Sequence, residues 1–197
     1  IAVFGGGSVG LSAVMGAKAM DAKVIVVVEP NAERRALAKQ FGATHAFDPR
    51  DGSDVVAAIK DASGGGVRYA IDTTGIPPVI KQAIDCIAAG GKLGLIGMSP
   101  PDAAIPATLM DLLVKGVTLQ PITEGDADPQ VFIPKMIELY RAGKFPFDKL
   151  IKKFPFDQIN EAASAGTDSV EASALVAGTT FVLAPHVERL RLTGVVN

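Results

Sequence analysis

The chain has 197 residues, of which 48% are hydrophobic and 20% charged, so it can bury one sizeable core and is not disordered over most of its length. A formal net charge of -2 with scattered Lys and Arg argues against nucleic acid and anionic membranes as partners. No apolar run approaches the roughly 20 residues that cross a bilayer, and a single cysteine suits a reducing cytoplasm, so we predict a cytoplasmic protein that does not bind membranes.

Short Val- and Ile-rich runs alternate with longer amphipathic stretches. The predicted strands are "IAVF", "KVIVVV", "HAF", "VRYAID", "KLGLIG" and "VTLQPI". Helices are predicted between them, at about 8–20, 31–41, 53–62, 76–89 and 107–115. Strands this apolar are typical of a parallel sheet that is covered on both faces. The pattern predicts an α/β fold with a doubly wound, six-stranded parallel sheet of the Rossmann type over residues 1–124, in which ligands bind beyond the carboxyl ends of the strands.

The pattern changes after residue 124, and residues 125–197 are predicted to form a C-terminal extension of helices and strands. Asp128 followed by Pro129 predicts the start of a helix, but Pro134 requires either a kink or a later start near Ile133. The last stretch is rich in β-branched residues and could add strands, although the sequence does not place them. The chain opens with Ile1 inside a strand pattern, so we expect that it begins where preceding sequence was removed.

Three glycines follow the first predicted strand. Gly5, Gly7 and Gly10 fit the pattern G-x-G-x-x-G between a strand and a helix, as a dinucleotide-binding turn requires. The first glycine allows the tight turn, the second lets the backbone approach a pyrophosphate, and the third lets the helix pack closely on the strand. Amides near Gly7, Ser8 and Val9 would then face the phosphates at the positive end of the helix dipole.

An acidic residue ends the second predicted strand, at the distance that this type of site requires. Glu29 follows Gly10 by about 20 residues, and a carboxylate there can accept hydrogen bonds from both hydroxyls of an adenosine ribose. It would repel a 2'-phosphate by about 4 kcal/mol per pair of unit charges at about 4 Å, so NAD is favoured over NADP. Arg34 and Arg35 temper this preference, because either could reach a phosphate. Alternatively, Glu29 is a solvated acid and the arginines form an exposed helix face.

Two further segments lie at the carboxyl ends of predicted strands. They are "DTTG" (72–75) and "IGM", which consists of Ile96, Gly97 and Met98. Loop residues at this edge of the sheet normally line the cofactor, although each segment could equally be an ordinary turn.

The sequence predicts no metal site and no catalytic residue. Cys86 lies on the apolar face of a predicted helix, where a small buried hydrophobe is expected. His45 and His186 are far apart, and neither has Cys or acidic neighbours at a metal-ligand spacing.

Several segments together resemble one family in order and spacing. "VFGGGSVGLSAVMGAKAM", "ALAKQFGATHAFDP", "AIDTTG" and "GGKLGLIGM" are similar to the cofactor-binding half of the zinc-type medium-chain alcohol dehydrogenases. Further on, "GKFPFDKLI" and "PFDQINEA" resemble the aryl-alcohol (benzyl-alcohol) dehydrogenase branch. The resemblance covers roughly residues 1–163, and the sequence diverges from the family after that point.

The resemblance implies oxidation of an aryl alcohol to its aldehyde with hydride transfer to NAD, and it implies roles for particular residues. Gly7, Ser8 and Val9 would contact the pyrophosphate, and Glu29 and Arg34 the adenosine ribose. Thr73 and Thr74 would border the adenine and ribose. The nicotinamide end would be lined, through main-chain groups, by Ile96, Met98, Ile122 and Glu124.

The chain also departs from this family. The family's catalytic zinc ligands and its four-cysteine structural zinc loop belong to an N-terminal domain, and one cysteine in 197 residues cannot rebuild either site. We therefore expect the chain to bind NAD but to be inactive alone, and to form a homo-oligomer through the edge strand "VTLQPI", as the family does. Two alternatives stay open: a non-catalytic module that senses NAD, and a zinc-free oxidoreductase similar to the quinone reductases, which usually prefer NADP.

Overall fold

The computed structural model describes residues 1–164, 170–173 and 180–183. The chain divides into two compact units, Ile1–Pro146 and Phe147–Asn197. The strands of the first unit are β1 (Ala2–Phe4), β2 (Val26–Val28), β3 (His45–Phe47), β4 (Val67–Asp72), β5 (Ile87–Leu95) and β6 (Thr118–Pro121). Its helices are α1 (Ser8–Ala19), α2 (Ala32–Phe41), α3 (Val55–Ser63), α4 (Pro77–Cys86), α5 (Leu109–Lys115) and α6 (Pro129–Arg141).

The six strands form one parallel sheet in the order β3-β2-β1-β4-β5-β6. This confirms the predicted doubly wound α/β fold. The strand order reverses between β1 and β4, and a ligand of such a sheet binds in the crevice outside the carboxyl ends of the strands at that point. All residues of β1 and β2 are buried, which is why these central strands are continuously apolar.

The strand register aligns the carboxyl ends of the six strands. Phe4 pairs with both Val28 and Asp72, the final residues of β2 and β4. On the outer strands, Val28 pairs with Phe47, Asp72 with Leu95, and Leu95 with Pro121. The residues that follow these positions therefore occur side by side along one edge of the sheet. They are Gly5, Glu29, Asp48, Thr73, Ile96 and Ile122.

Helix α2, predicted over 31–41, spans Ala32–Phe41. The Asn31 side chain accepts a hydrogen bond from the Arg34 amide at 3.1 Å, and thereby caps the first turn. Gly42 closes the helix in a left-handed conformation, with φ of 115°. Local sequence signals thus fix the direction in which the chain leaves β2.

Helix α4 is shorter than predicted. The expected helix over 76–89 ends at Cys86, and β5 starts at Ile87. Alanines at 88 and 89 prolong the helical pattern in the sequence, but the chain there pairs with β4 through an irregular register, in which Val67 pairs with Ile87 and Tyr69 with Lys92. Sheet pairing overrides the local helical preference of "IAA".

Helix α6 starts at Pro129, capped by the Asp128 carboxylate, which accepts a hydrogen bond from the Gln130 amide at 2.9 Å. The helix continues through Pro134, so the alternative start near Ile133 is wrong. No helix within the described residues is long and apolar enough to span a bilayer.

The second unit contains α7 (Ile159–Ser164) and a three-stranded sheet in the order β7-β8-β9. β7 (Lys152–Pro155) runs parallel to β8 (Val170–Ser173), which pairs antiparallel with β9 (Thr180–Leu183). The β-branched tail therefore does add two strands. The rest of the tail after residue 164, with His186, lies outside the described residues.

Cys86 is fully buried at the end of α4, and its Sγ–H donates to the Ala83 carbonyl oxygen at 3.3 Å. Burial raises the pKa of this thiol to about 12, so almost none of it is thiolate near neutral pH. We expect the folded protein to react with a disulfide reagent such as DTNB at pH 8 at least about 100 times more slowly than the urea-unfolded chain. Equal rates in the two states, followed by thiol-release absorbance, would contradict this burial.

Candidate functional site

The glycine turn joins β1 to α1 at the switch point of the sheet. Gly5 has φ of 96°, in the left-handed region, and a Cβ atom there would lie 2.3 Å from the Thr73 hydroxyl oxygen. A Cβ atom on Gly10 would lie 1.9 Å from the Gly5 carbonyl oxygen. Only glycine permits these two close approaches. The turn therefore brings the start of α1 directly against the end of β1.

The start of α1 offers main-chain donors to an anion. Gly7 precedes the helix in an extended conformation, and the hydrogen bond from the Leu11 amide to the Gly7 carbonyl, at 2.8 Å, is the first of the helical type in α1. The amides of residues 8–10 come before it, and such amides carry the positive end of the helix dipole. The predicted pyrophosphate residues Gly7, Ser8 and Val9 lie at this helix end, and the Val9 side chain is 44% exposed.

Glu29 is turned toward the glycine turn and is only 4% exposed. Its Oε2 atom accepts a hydrogen bond from the Gly6 amide at 2.7 Å, and its Oε1 atom accepts one from the Asn31 amide, also at 2.7 Å. The alternative that Glu29 is a solvated acid is therefore wrong. A carboxylate has about four lone-pair sites, so two acceptor positions are left after these two amides.

Arg35 contacts the main chain around Glu29. Its Nη1 atom donates to the carbonyl oxygens of Glu29 and Pro30, at 2.7 and 2.8 Å, and lies 3.0 Å from the Asp48 carboxylate. Only 21% of the Arg35 side chain is exposed, so the expected exposed arginine face is wrong for this residue. Arg34, next to it, is half-buried on the first turn of α2.

Asp48 joins Arg35 to a second arginine, Arg50. The Arg50 Nε atom lies 3.1 Å from the Asp48 carboxylate, and its Nη2 atom donates to the Pro30 carbonyl oxygen. Hydrogen bonds from Arg50 lower the pKa of Asp48 to about 2, so the carboxylate is charged at any physiological pH. One carboxylate thus holds two guanidinium groups against the main chain that follows β2.

Asp72 organises the loop after β4. This fully buried carboxylate accepts hydrogen bonds from the Thr74 amide and hydroxyl, at 3.2 and 2.7 Å, and from the Gly75 amide at 2.9 Å. Thr73 donates through both its amide and its hydroxyl to the Phe4 carbonyl oxygen. The predicted residues Thr73 and Thr74 are therefore fixed beside the glycine turn.

The loop after β5 packs on the loop after β4 without intervening side chains. A Cβ atom on Gly97 would lie 2.1 Å from the Gly75 amide nitrogen. The amides of Ile96 and Gly97 both donate to the Asp72 carbonyl oxygen, at 2.9 and 3.2 Å. Met98, which follows, is 95% exposed. The predicted segment "IGM" thus reaches the same sheet edge and presents a long apolar side chain there.

The remaining two predicted residues follow β6. The Ile122 amide donates to the Leu95 carbonyl oxygen at 2.9 Å, which continues the sheet pairing beyond β6. Glu124 begins a single 3₁₀ turn, Glu124–Asp126. Both residues come after the strand at the far end of the order, four places from β2.

The part of the chain that the structure describes holds no residues arranged for a zinc site. Among the described residues, no three His, Cys, Asp or Glu side chains lie together as metal ligands would. Cys86 is buried in the core, and His45 contacts the Thr44 hydroxyl and stacks on Phe47.

Sequence reasoning missed the roles of Asp48 and Asp72. Both end or follow a strand, as Glu29 does, and that shared position was the available signal. Their partners, Arg35, Arg50 and Gly75, are not recognisable from spacing alone.

Comparison with known proteins places this geometry in a family. The family model described as "Zinc-binding dehydrogenase" matches residues 8–141. The chain is 61% identical over 172 residues to a geraniol dehydrogenase of Castellaniella defragrans, an alignment that covers 87% of this chain and 46% of that protein. The chain thus spans about half the length of this relative.

Two solved structures are also similar. The benzyl alcohol dehydrogenase of Acinetobacter calcoaceticus is 41% identical with a TM-score of 0.79, over 83% of this chain and 45% of that one. A zinc-binding dehydrogenase of Sinorhizobium meliloti 1021, bound to NADP, is 25% identical with a TM-score of 0.73, over 93% and 52% of the two chains. With the Rossmann sheet and the matched residues, these findings show that the chain belongs to the zinc-type, medium-chain alcohol dehydrogenase family.

Proposed function

We propose that residues 1–124 bind NAD at the carboxyl edge of the sheet, in the arrangement that the sequence predicts. The observation that carries this proposal is the 2.7 Å hydrogen bond from the Gly6 amide to Glu29 Oε2. This hydrogen bond joins the glycine turn, which has the spacing of a dinucleotide-binding turn, to the acid that would hold the ribose. The two acceptor positions left on Glu29 match the two hydroxyls of one adenosine ribose.

The other residues would extend the site from the adenosine toward the nicotinamide. The start of α1, with Gly5, Gly7, Ser8, Val9 and Gly10, would bind the pyrophosphate, and Arg34 would stand beside the ribose. Thr73 and Thr74 would border the adenosine, because Asp72 and the Phe4 carbonyl hold them at the switch point. The nicotinamide end would be formed by Ile96, Gly97, Met98, Ile122 and Glu124.

NAD is the proposed cofactor rather than NADP because Glu29 is a buried carboxylate where a 2'-phosphate would otherwise lie. The S. meliloti relative bound to NADP supports dinucleotide binding on this fold. A bound nicotinamide would supply a carbon that accepts or donates hydride. The chain's own groups would orient that ring and exclude water from it.

The substrate of the whole protein is proposed from its relatives. One relative is named for geraniol and another for benzyl alcohol. Both compounds are primary alcohols in which the carbon that bears the hydroxyl is bonded to an unsaturated carbon. We propose an aryl alcohol such as benzyl alcohol, with geraniol as the second candidate because its dehydrogenase is 61% identical. The chain has a single cysteine, and its described residues hold no group of three candidate metal ligands, so residues 1–197 alone are proposed to bind NAD without oxidising either alcohol.

Self-association is proposed through the exposed edge of the sheet. β6 is the last strand in the order. The helix that precedes it, α5, exposes Leu109, Leu113 and Val114 by 75–87%. An edge strand beside an apolar helix face is a surface that a second copy can cover. The cytoplasmic location stays a prediction from cysteine usage.

NADH titration tests the binding proposal. The wild-type chain is expected to enhance NADH fluorescence with a Kd below about 1 mM, a weak affinity by the usual scale. Gly7→Val is expected to abolish the signal, because a side chain at this position would stand between the backbone and the pyrophosphate. The Gly7 backbone, with φ of -73°, accepts any residue, so the variant should fold.

The absence of NADH binding at millimolar concentration would overturn the proposal. Oxidation of benzyl alcohol or geraniol by a polypeptide that includes in-frame sequence upstream of Ile1 would support the proposal that the whole protein is an alcohol dehydrogenase. NAD binding by that polypeptide without any oxidation would favour the sensing module, and tighter binding of NADP would favour the quinone-reductase alternative.

A further inference from the structure

We propose that Asp48 is a positioning residue that sets the preference for NAD over NADP by sequestering Arg35 and Arg50. This inference rests on the proposed function, because it concerns the pocket in which Glu29 would hold the adenosine ribose. It adds a determinant that lies on a different strand from Glu29. The usual acid at the end of β2 would repel a 2'-phosphate, whereas Asp48 would withhold the cations that could attract one.

Two guanidinium groups lie next to the proposed ribose site. Arg35 Nη1 is 2.7 Å from the Glu29 carbonyl oxygen, and Arg50 Nη2 donates to the next carbonyl along the chain, that of Pro30. A phosphate on a ribose held by Glu29 would be within a side chain's length of both. Arg binds phosphate through paired, charge-assisted hydrogen bonds, so this position is otherwise well suited to NADP.

Asp48 engages both arginines at once. Its carboxylate is 3.0 Å from Arg35 Nη1 and 3.1 Å from Arg50 Nε. The Arg50 amide also donates to it, at 2.9 Å. The guanidinium groups are therefore held between a carboxylate and two main-chain carbonyls, with 21% of the Arg35 side chain and 67% of the Arg50 side chain exposed.

The local charge balance leads to the same conclusion. Glu29 and Asp48 are negative, and Arg35 and Arg50 are positive, so these four side chains sum to no net charge, and Arg34 beside the proposed ribose adds one positive charge. A 2'-phosphate would bring about two negative charges to this neutral group. Replacing Asp48 with asparagine keeps the size of the side chain but leaves the group with an excess positive charge and frees donors of both arginines.

The test is a pair of fluorescence titrations, with NADH and with NADPH, on the 197-residue wild type and on Asp48→Asn. The wild type is expected to bind NADH more tightly. In D48N the NADPH dissociation constant is expected to fall several-fold, and the ratio of the two constants to shift by about tenfold or more toward NADPH. A purely structural role for Asp48 would instead weaken both cofactors together, so the rise in NADPH affinity is the discriminating readout.

Two further variants sharpen the test. Asp51→Asn removes a carboxylate from the same loop, one that accepts a hydrogen bond from the Ser53 amide at 2.8 Å, and should leave the ratio within about twofold of wild type. The triple variant D48N/R35Q/R50Q should lose the gained NADPH affinity. Persistence of the gain in the triple variant would overturn the role of the arginines.

The possible failures are distinguishable. A wild type that binds NADH, together with an unchanged ratio in D48N, would overturn this inference and leave the proposed function standing. A wild type that binds neither cofactor would overturn the proposed function, and this inference with it.

Discussion

Replacing Glu29 with alanine is expected to weaken NADH binding by about 100-fold or more. The variant would lose two hydrogen bonds from ribose hydroxyls to a charged acceptor, each of which contributes about 1.5–3 kcal/mol. Fluorescence titration of NADH into wild type and Glu29→Ala measures this loss directly. Binding of NADH by the variant with wild-type affinity would remove the ribose role from Glu29.

The same substitution should also destabilise the fold. Glu29 accepts the amides of Gly6 and Asn31, and the alanine variant would leave the buried Gly6 amide without this acceptor. We expect a loss of about 1–3 kcal/mol in the free energy of unfolding. Glu29→Gln keeps one acceptor oxygen and should fall between wild type and alanine in both measurements.

A matched control separates the site from a general effect of charge. Glu33 is an exposed carboxylate in the first turn of α2, four residues from Glu29. Glu33→Ala removes one negative charge, as Glu29→Ala does, but leaves both amide contacts of Glu29 in place. NADH affinity in this control is expected to stay within about twofold of wild type, which corresponds to a small exposed-charge effect.

The second large effect is expected at Gly10. A Cβ atom there would lie 1.9 Å from the Gly5 carbonyl oxygen, so Gly10→Ala must push α1 away from the glycine turn. Overpacking of this kind costs about 1–3 kcal/mol and occasionally more, and a clash with backbone rather than with a flexible side chain places this variant at the upper end. Urea denaturation of wild type and variant measures the difference.

Gly16 provides the matched control within the same helix. A Cβ atom at Gly16 would meet no atom within 4 Å, so Gly16→Ala introduces no clash. Because alanine favours the helical backbone, we expect this variant to gain about 0.5–1 kcal/mol. If Gly10→Ala were as stable as Gly16→Ala, the close approach of α1 to the turn would be contradicted.

The sequence predicted most of the fold because its signals are local. Continuous apolar runs predicted the strands, and the helix predicted over 31–41 agrees with α2 to within one residue. The glycine spacing and the acid at the end of β2 predicted the edge of the sheet at which the proposed site lies. The helix over 76–89 was predicted too long, since a run of alanines does not show that the chain has already joined a neighbouring strand.

By itself, the sequence determined the order of the elements, the glycine turn and the acid at the end of β2, because each depends on residues that are close in the chain. Only the tertiary structure decided that Glu29 is buried against Gly6, and that Asp48 joins Arg35 to Arg50 beside it. These contacts depend on the parallel register, which sets the ends of β1, β2 and β3 next to one another. That alignment of the strand ends determines which groups lie near each carboxylate. The spacing of residues along the sequence does not encode this alignment.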